Sequence, residues 1–221
     1  MNYKLKISIL FLSVFACYLN GHTQNPDTTV LLKGRYITGL SGNITGQDVF
    51  GNNSTTGQNQ KLNEYRIGTQ SGYFIENKWV IGADFSLSKS ASSSNQFNYS
   101  SESLRLGAWG RYYFVTYEKG ALFADLTPFY TVINQESQIN INGIVTSEEL
   151  SGKGFGLEPG VGFAYLINKN VGFGMAVAYQ FGSINADRED YILNTKTPES
   201  YNFTQLIFRF SFQVYLDQFF F

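Results

Sequence analysis

Between Tyr65 and Lys89 the chain reads YRIGTQSGYFIENKWVIGADFSLSK. Tyr65, Ile67, Thr69, Ser71 and Tyr73 alternate with Arg66, Gly68, Gln70 and Gly72. A polar turn, Ile75-Glu76-Asn77-Lys78, follows, and the alternation resumes with Trp79, Ile81, Ala83, Phe85 and Leu87 against Val80, Gly82, Asp84, Ser86 and Ser88. Side chains on a strand change face at every residue, so this pattern predicts two antiparallel strands with one apolar face and one polar, glycine-rich face.

The same period recurs along the chain. It predicts strands over Val30–Leu40, Leu104–Phe114, Ala121–Thr131, Phe155–Tyr165, Val171–Tyr179 and Leu206–Val214. Short turns are expected at Val115–Gly120 and Leu166–Asn170. Long polar loops are expected at Ser41–Gln60, Ser90–Ser101, Val132–Gly152 and Phe181–Ser200. Long and short connections thus alternate along about eight strands of ~10 residues. This is the pattern of an eight-stranded antiparallel up-and-down transmembrane β-barrel, with short turns on the periplasmic side and long loops outside. Pro128 and Pro159 fall inside strand patterns, where a bulge or strand end is expected because proline cannot donate to the ladder. The tail after Val214 is expected to break the parity of the last strand.

Which face points inward decides between a soluble barrel and a membrane barrel. Gly68, Gly72 and Gly82 share the face of Arg66 and Asp84. Glycine weakens a strand, and repeating it on a solvated exterior gains nothing. In a narrow lumen it makes room for an arginine from across the barrel. Aromatic residues flank the apolar face, as a bilayer's two interfaces favour. The expected belts comprise Tyr65, Tyr73, Trp79, Phe85, Tyr112, Phe114, Tyr130, Phe155, Tyr165 and Tyr179. Composition agrees with this. Aromatics make 17% and charged residues only 15%, yet the mean hydropathy is −0.15 and no run approaches the ~20 apolar residues of a spanning helix.

Residues 1–23 read as a secretory signal peptide: Lys4 and Lys6, an apolar core from Ile7 to Leu19, then Gly21 and Thr23 before Gln24. Residues 24–221 form the barrel domain. Removing Lys4 and Lys6 leaves 14 bases against 17 acids, a net charge of −3, so no basic footprint points to nucleic acid. The one cysteine, Cys17, and the one histidine, His22, both fall in the signal segment. Val14-Phe15-Ala16-Cys17 departs from a lipoprotein box at the bulky Phe15. The mature chain would have no thiol, no disulfide and no imidazole, which removes the usual nucleophile-activating pairs and transition-metal ligands. We therefore expect no enzyme and no cofactor.

The predicted inward charges are Lys33, Arg35, Glu64, Arg66, Asp84, Arg105, Arg111, Asp125, Glu158 and Arg209. An eight-stranded barrel is only just wide enough for its own side chains, so mixed charges there read as an ion network that fills the lumen. A thin solute path is the alternative role. Asp125 and Glu158 as an acid–base pair weigh less, since carboxylates amid arginines pair with them. The glycine run Gly152–Gly162 lies within strand periodicity and fails as a nucleotide loop. Asp187, Arg188, Glu189 and Asp190 read as a solvated loop cluster.

The signal segment, the strand end Arg111-Tyr112-Tyr113-Phe114, the glycine-alternating hairpin Gly154–Gly174 and the terminal Phe221 together resemble the small outer-membrane β-barrel proteins related to the transmembrane domain of outer membrane protein A. PorT-like secretion-accessory barrels are a neighbouring resemblance. The resemblance implies residence in the outer membrane of a Gram-negative bacterium, with outer-membrane lipid as surroundings. It also implies that Phe221 is the signal read by the barrel-assembly machinery. The two function classes expected are a structural or surface-interaction barrel with a plugged lumen and long extracellular loops, and a transport or secretion-accessory barrel.

Overall fold

A computed structural model describes residues 30–49, 60–93, 97–141, 144–190 and 195–217. The expected signal peptide, Cys17, His22 and Phe221 lie outside these. Eight strands follow one another: β1 (Tyr36–Val49), β2 (Gln60–Glu76), β3 (Trp79–Ser93), β4 (Phe97–Tyr117), β5 (Gly120–Ile141), β6 (Ile144–Leu166), β7 (Val171–Asp190) and β8 (Thr195–Leu216). Each pairs antiparallel with its successor, and β1 pairs with β8 from Tyr36↔Leu216 to Asn43↔Arg209, closing the barrel. Closure removes the free sheet edges that would otherwise invite pairing with other chains.

Burial follows the inverted polarity. On the outside, Ile67 is 72% exposed and Phe155 70%, while on the inside Asp84 is 3% exposed and Arg105 5%. No water-soluble arrangement gains from that order, since it exposes apolar surface and buries ionised groups.

Three expectations are corrected. The strands run well into the segments expected as long loops: β5 continues to Ile141 and β6 begins at Ile144. These parts are rich in Ser, Asn, Gln and Glu, so they lack the apolar face by which a strand shows itself, yet their backbone pairs in register from Phe97↔Ile139 and Ile141↔Ile144 downward. Second, β1 begins at Tyr36 rather than Val30. Residues Val30–Arg35 form an irregular segment whose Leu31 is 1% exposed and whose backbone bonds the β2–β3 turn, Lys78 N–H to Leu31 C=O at 2.8 Å. Third, β8 keeps its parity through Leu216: Gln213 and Tyr215 are buried on the face of Arg209.

The prolines act differently from expectation too. The β4–β5 ladder lapses between Gly107↔Phe129 and Gly110↔Leu126, and the β6–β7 ladder between Leu157↔Phe181 and Gly160↔Ala178. Register is the same on either side of each gap. Pro128 and Pro159 turn their missing N–H toward these gaps and pair on their other side, with Leu157 and Leu126. True register shifts occur elsewhere, at Phe74/Glu76 and Tyr113/Val115, beside the short turns.

Gly72 and Gly82 are paired across β2 and β3, and the Trp109 ring lies over Gly72. The indole N–H donates to the carbonyls of Ala83 at 3.0 Å and Ser71 at 3.3 Å. A methyl group on Gly82 would run into the Ser71 carbonyl and the Gly72 backbone. Gly82→Ala is expected to destabilise the barrel by ~1–3 kcal/mol through overpacking. Urea unfolding in liposomes measures it, with Gly110→Ala, where a methyl meets only the Val80 carbonyl at 3.9 Å, as the mild control.

Candidate functional site

The interior is layered along the barrel axis. At the end carrying the short turns, Leu31, Phe74, Val80, Tyr113, Phe123 and Tyr215 pack into one buried cluster. The Phe74 and Tyr113 rings stack at 6.2 Å, and Tyr113 meets Phe123 edge-on at 5.8 Å. These groups come from widely separated parts of the chain, and Leu31 enters from the segment ahead of β1. Arg35 secures that segment. Its guanidinium donates to the Val30 and Lys169 carbonyls at 3.2 and 3.1 Å and forms an ion pair with Asp217 at 2.7 Å.

Above this cluster lies a charged layer. Asp125 on β5 faces Arg111 on β4 as a register pair, and the two meet at 2.9 Å. Arg209 on β8 reaches across to the same Asp125 oxygen at 2.6 Å and to Glu158 at 2.9 Å. Arg105 joins Glu158 to Asp84, the latter at 2.8 Å, and Gln70 donates to Asp84 at 3.0 Å. Arg66 approaches Glu158 at 3.9 Å and donates to Gln180 at 3.3 Å. The chain of contacts therefore runs unbroken from Asp84 through Arg105, Glu158, Arg209 and Asp125 to Arg111. The arginines also lie over rings: Arg111 is 3.9 Å from the centre of Phe123, and Arg105 is 4.7 Å from Phe129. Such contacts suit a flat, weakly hydrated guanidinium better than a compact, strongly hydrated ammonium.

Backbone features make room for the layer. A side chain at Gly160 would occupy the position of an Asp125 carboxylate oxygen, and Glu158 sits in the gap of the β6–β7 ladder. Asp125 and Glu158 each serve two or more cations, which is the condition under which buried ions are tolerable.

The expected network thus separates into groups. Arg66, Asp84, Arg105, Arg111, Asp125, Glu158 and Arg209 lie together. Arg35 is buried apart from them, at the mouth closed by Leu31. Lys33 is a correction: it stands in the irregular segment, not on a strand, and its exposed ammonium pairs with Glu76 at 2.7 Å. The Glu64 backbone pairs with Thr45 and Ser90, and its side chain lies outside the described residues. Beyond the expected residues, Gln70, Gln180, Tyr113 and Phe123 line the interior at positions of inward parity, and Leu31 has the parity of Lys33 and Arg35 in the strand expected there.

Toward the other end, Ile133, Ile184 and Ala186 form a second apolar cluster with Leu150, Tyr201 and Phe203. At the rim, Arg188 pairs with Glu148 and Glu199, each at 2.9 Å. The hydrogen bond from Arg188 to Glu199, with both carboxylates' charge, raises Arg188 further above its ordinary value. Lys196 pairs with Glu189 at 2.9 Å.

The aromatic positions lie on the outer face. Near the short turns Trp79 stacks on Tyr112 at 4.5 Å and Tyr73 lies 4.9 Å from Tyr36, with Tyr165 beside Phe173. Toward the far end Tyr130 and Phe155 meet at 5.0 Å and Tyr179 meets Phe181 at 6.0 Å; Tyr65 pairs with Lys89. Phe85 is not level with Tyr65. It pairs with Thr69 and Leu106 and stands within the aliphatic band. Phe114 is half-buried at the Tyr113/Val115 irregularity.

The fold is that of small outer-membrane β-barrels. It matches the outer membrane protein OprG from Pseudomonas aeruginosa at a TM-score of 0.58 and 16% identity, over 84% of this chain and 97% of that one. A major outer membrane protein from Thermus thermophilus aligns at 0.49 and 9% identity, over 82% and 98% of the two chains. Ail, the attachment invasion locus protein of Yersinia pestis, aligns at 0.43 and 12%, over 84% and 100%. No protein-family model and no curated protein matches the chain.

Asp125 links Arg111 and Arg209, so removing it leaves Arg111 without a carboxylate and Arg209 with Glu158 alone. Asp125→Ala is expected to cost ~3–5 kcal/mol. Combining it with Arg111→Met is expected to cost less than the sum of the single changes, with a coupling of ~0.5–3 kcal/mol. Additive losses in chemical unfolding would contradict the pairing. Lys33→Ala, at the exposed pair, is expected to leave the unfolding midpoint unchanged.

Proposed function

We propose that the protein is an integral outer-membrane barrel, exported by the signal segment 1–23, that is closed to through-flow and acts as a structural or surface-interaction element. The observation that carries this reading is the double closure of the interior. The Leu31 cluster fills the end with the short turns, and the arginine–carboxylate layer crosses the barrel above it. Between them, the cavity against Gln70, Arg111 and Gln213 holds about 10 Å³, the room of roughly one water.

The exposed apolar wall supports the membrane setting, because lipid is the surrounding in which such a surface costs nothing. The outward aromatics form the two interface belts, although Phe85 lies off the level of the far one. The short turns at Asn77, Glu118 and Asn168 face the periplasm, and the polar strand extensions stand outside the cell. Phe221 serves as the signal for the barrel-assembly machinery. No catalytic role is assigned, since residues 24–221 contain neither histidine nor cysteine.

Planar-bilayer recording tests the closure. The refolded chain is expected to give no steady openings. Asp125→Ala is expected to lose stability and still remain silent, because the Leu31 cluster shuts the mouth independently. Steady single-channel openings by the wild type would overturn this reading in favour of a transport barrel.

A further inference from the structure

On the outer wall, beyond the aromatic pair Tyr130 and Phe155 on the side away from the short turns, lies a groove of about 700 Å³ across β5, β6, β7 and β8. Short polar side chains line it: Ser151, Asn185 and Ser200, with Asn134 beside Val132 on the β5 side. Lys153 stands in it as the first polar outward residue of β6, opposite Val132 and Asn185 in register. Toward the short turns the outer wall is apolar, and Phe155, Phe181, Leu206 and Phe208 are exposed on it.

We propose that this groove holds the phosphorylated sugar head of an outer-leaflet glycolipid, with a phosphate at the Lys153 ammonium and the acyl chains on the apolar wall from Phe155 onward. This rests on the reading that the strand extensions stand outside the cell, because only then does the groove meet the outer leaflet. Three observations select the ligand. The first is charge. Lys153 is exposed and among the described residues forms no ion pair, whereas Lys89, the first polar outward residue of β3, is held by Glu102 at 2.6 Å. The two acids of the groove are engaged, Asp187 by Lys196 at 3.4 Å and Glu199 by Arg188 at 2.9 Å. The charge the groove leaves unmatched is therefore positive, and an ammonium at a bilayer surface attracts anionic lipid heads. The second is the lining. The groove is wider than one phosphate needs, and its amides and hydroxyls both donate and accept, as sugar hydroxyls require. The third is position. Polar groove and apolar wall meet at the level of the aromatic belt, where the head and the chains of an amphiphile part. A lysine that merely kept its ammonium in water would need no such groove around it.

The test is native mass spectrometry of the full mature chain in a neutral detergent, with diphosphoryl lipid A, phosphatidylglycerol and phosphatidylcholine as probes. The wild type is expected to retain lipid A ahead of both phospholipids. Lys153→Gln is expected to weaken its retention about fivefold, the worth of one lysine at an anionic lipid surface, and Lys153→Arg to keep it. Ser200→Trp, which fills the groove from β8, is expected to remove the preference for lipid A over phosphatidylglycerol. Lys89→Gln, at the paired lysine, is expected to change nothing. The proposal fails if the wild type retains lipid A and phosphatidylglycerol alike, which would show attraction to charge alone. It fails equally if Lys153→Gln matches the wild type, or if Lys89→Gln weakens retention as much as Lys153→Gln does. Orientation is read separately, by a membrane-impermeant maleimide added to intact cells carrying Gln138→Cys on the β5 extension. Labelling is expected there, and its absence would contradict the outside placement whatever the lipid result.

Discussion

The structure depends on where seven buried ionisable side chains can go. Arg66, Asp84, Arg105, Arg111, Asp125, Glu158 and Arg209 all sit at strand positions of one parity. A strand offers only two faces, so the choice for one is the choice for all. At the bilayer midplane each outward arginine would cost ~2–4 kcal/mol, so the four together would cost roughly 8–16 kcal/mol, comparable with the entire stability of a typical domain. Turned inward they still have to be matched, because a buried charge without a partner is nearly as costly. The shared carboxylates meet that demand. Asp125 takes two guanidinium groups and Glu158 takes three, which lets a few acids satisfy the surrounding arginines.

Glycine and the ladder gaps are consequences of the same packing. Eight strands enclose little volume, and four arginines with a tryptophan occupy much of it. Gly72 and Gly160 give up their side chains where Trp109 and Asp125 need space. Pro128 and Pro159, which would break a ladder, occupy its two gaps at the height of the charged layer, beside Thr127 and Glu158. The ladder thus lapses at the height where the interior is rich in ion pairs, and beside the β4–β5 gap the Arg111–Asp125 pair joins the two strands.

The barrel was legible in the sequence because period-two alternation of apolar and polar residues survives in every membrane-height strand. The inward charges were legible for the same reason: Asp84 and Arg105 share the parity of glycines, not of leucines. Two things were not legible. The extensions beyond the apolar band, such as Asn134–Gln138 with Ser147–Ser151, pair as strands while carrying almost only polar residues, so no alternation marks them. The place of Lys33 is the other: local pattern carries the first strand back to Val30, whereas β1 begins at Tyr36. Leu31 is buried by the β2–β3 turn and Tyr215, contacts from far along the chain that local periodicity does not encode.

The inversion of the barrel's polarity underlies every feature above, and site-directed spin labelling in lipid bilayers measures it most directly. Labels at Phe85, Leu106 and Phe208 are to be compared with labels at Ser88 and Thr131 for collision with molecular oxygen, which concentrates in the acyl region, and with a water-soluble nickel chelate. Inverted polarity predicts high oxygen and low nickel collision at Phe85, Leu106 and Phe208, and low oxygen collision at Ser88 and Thr131. Nickel collision at Phe85 and Phe208 equal to that of a label in free solution would contradict it, because the apolar face would then meet water.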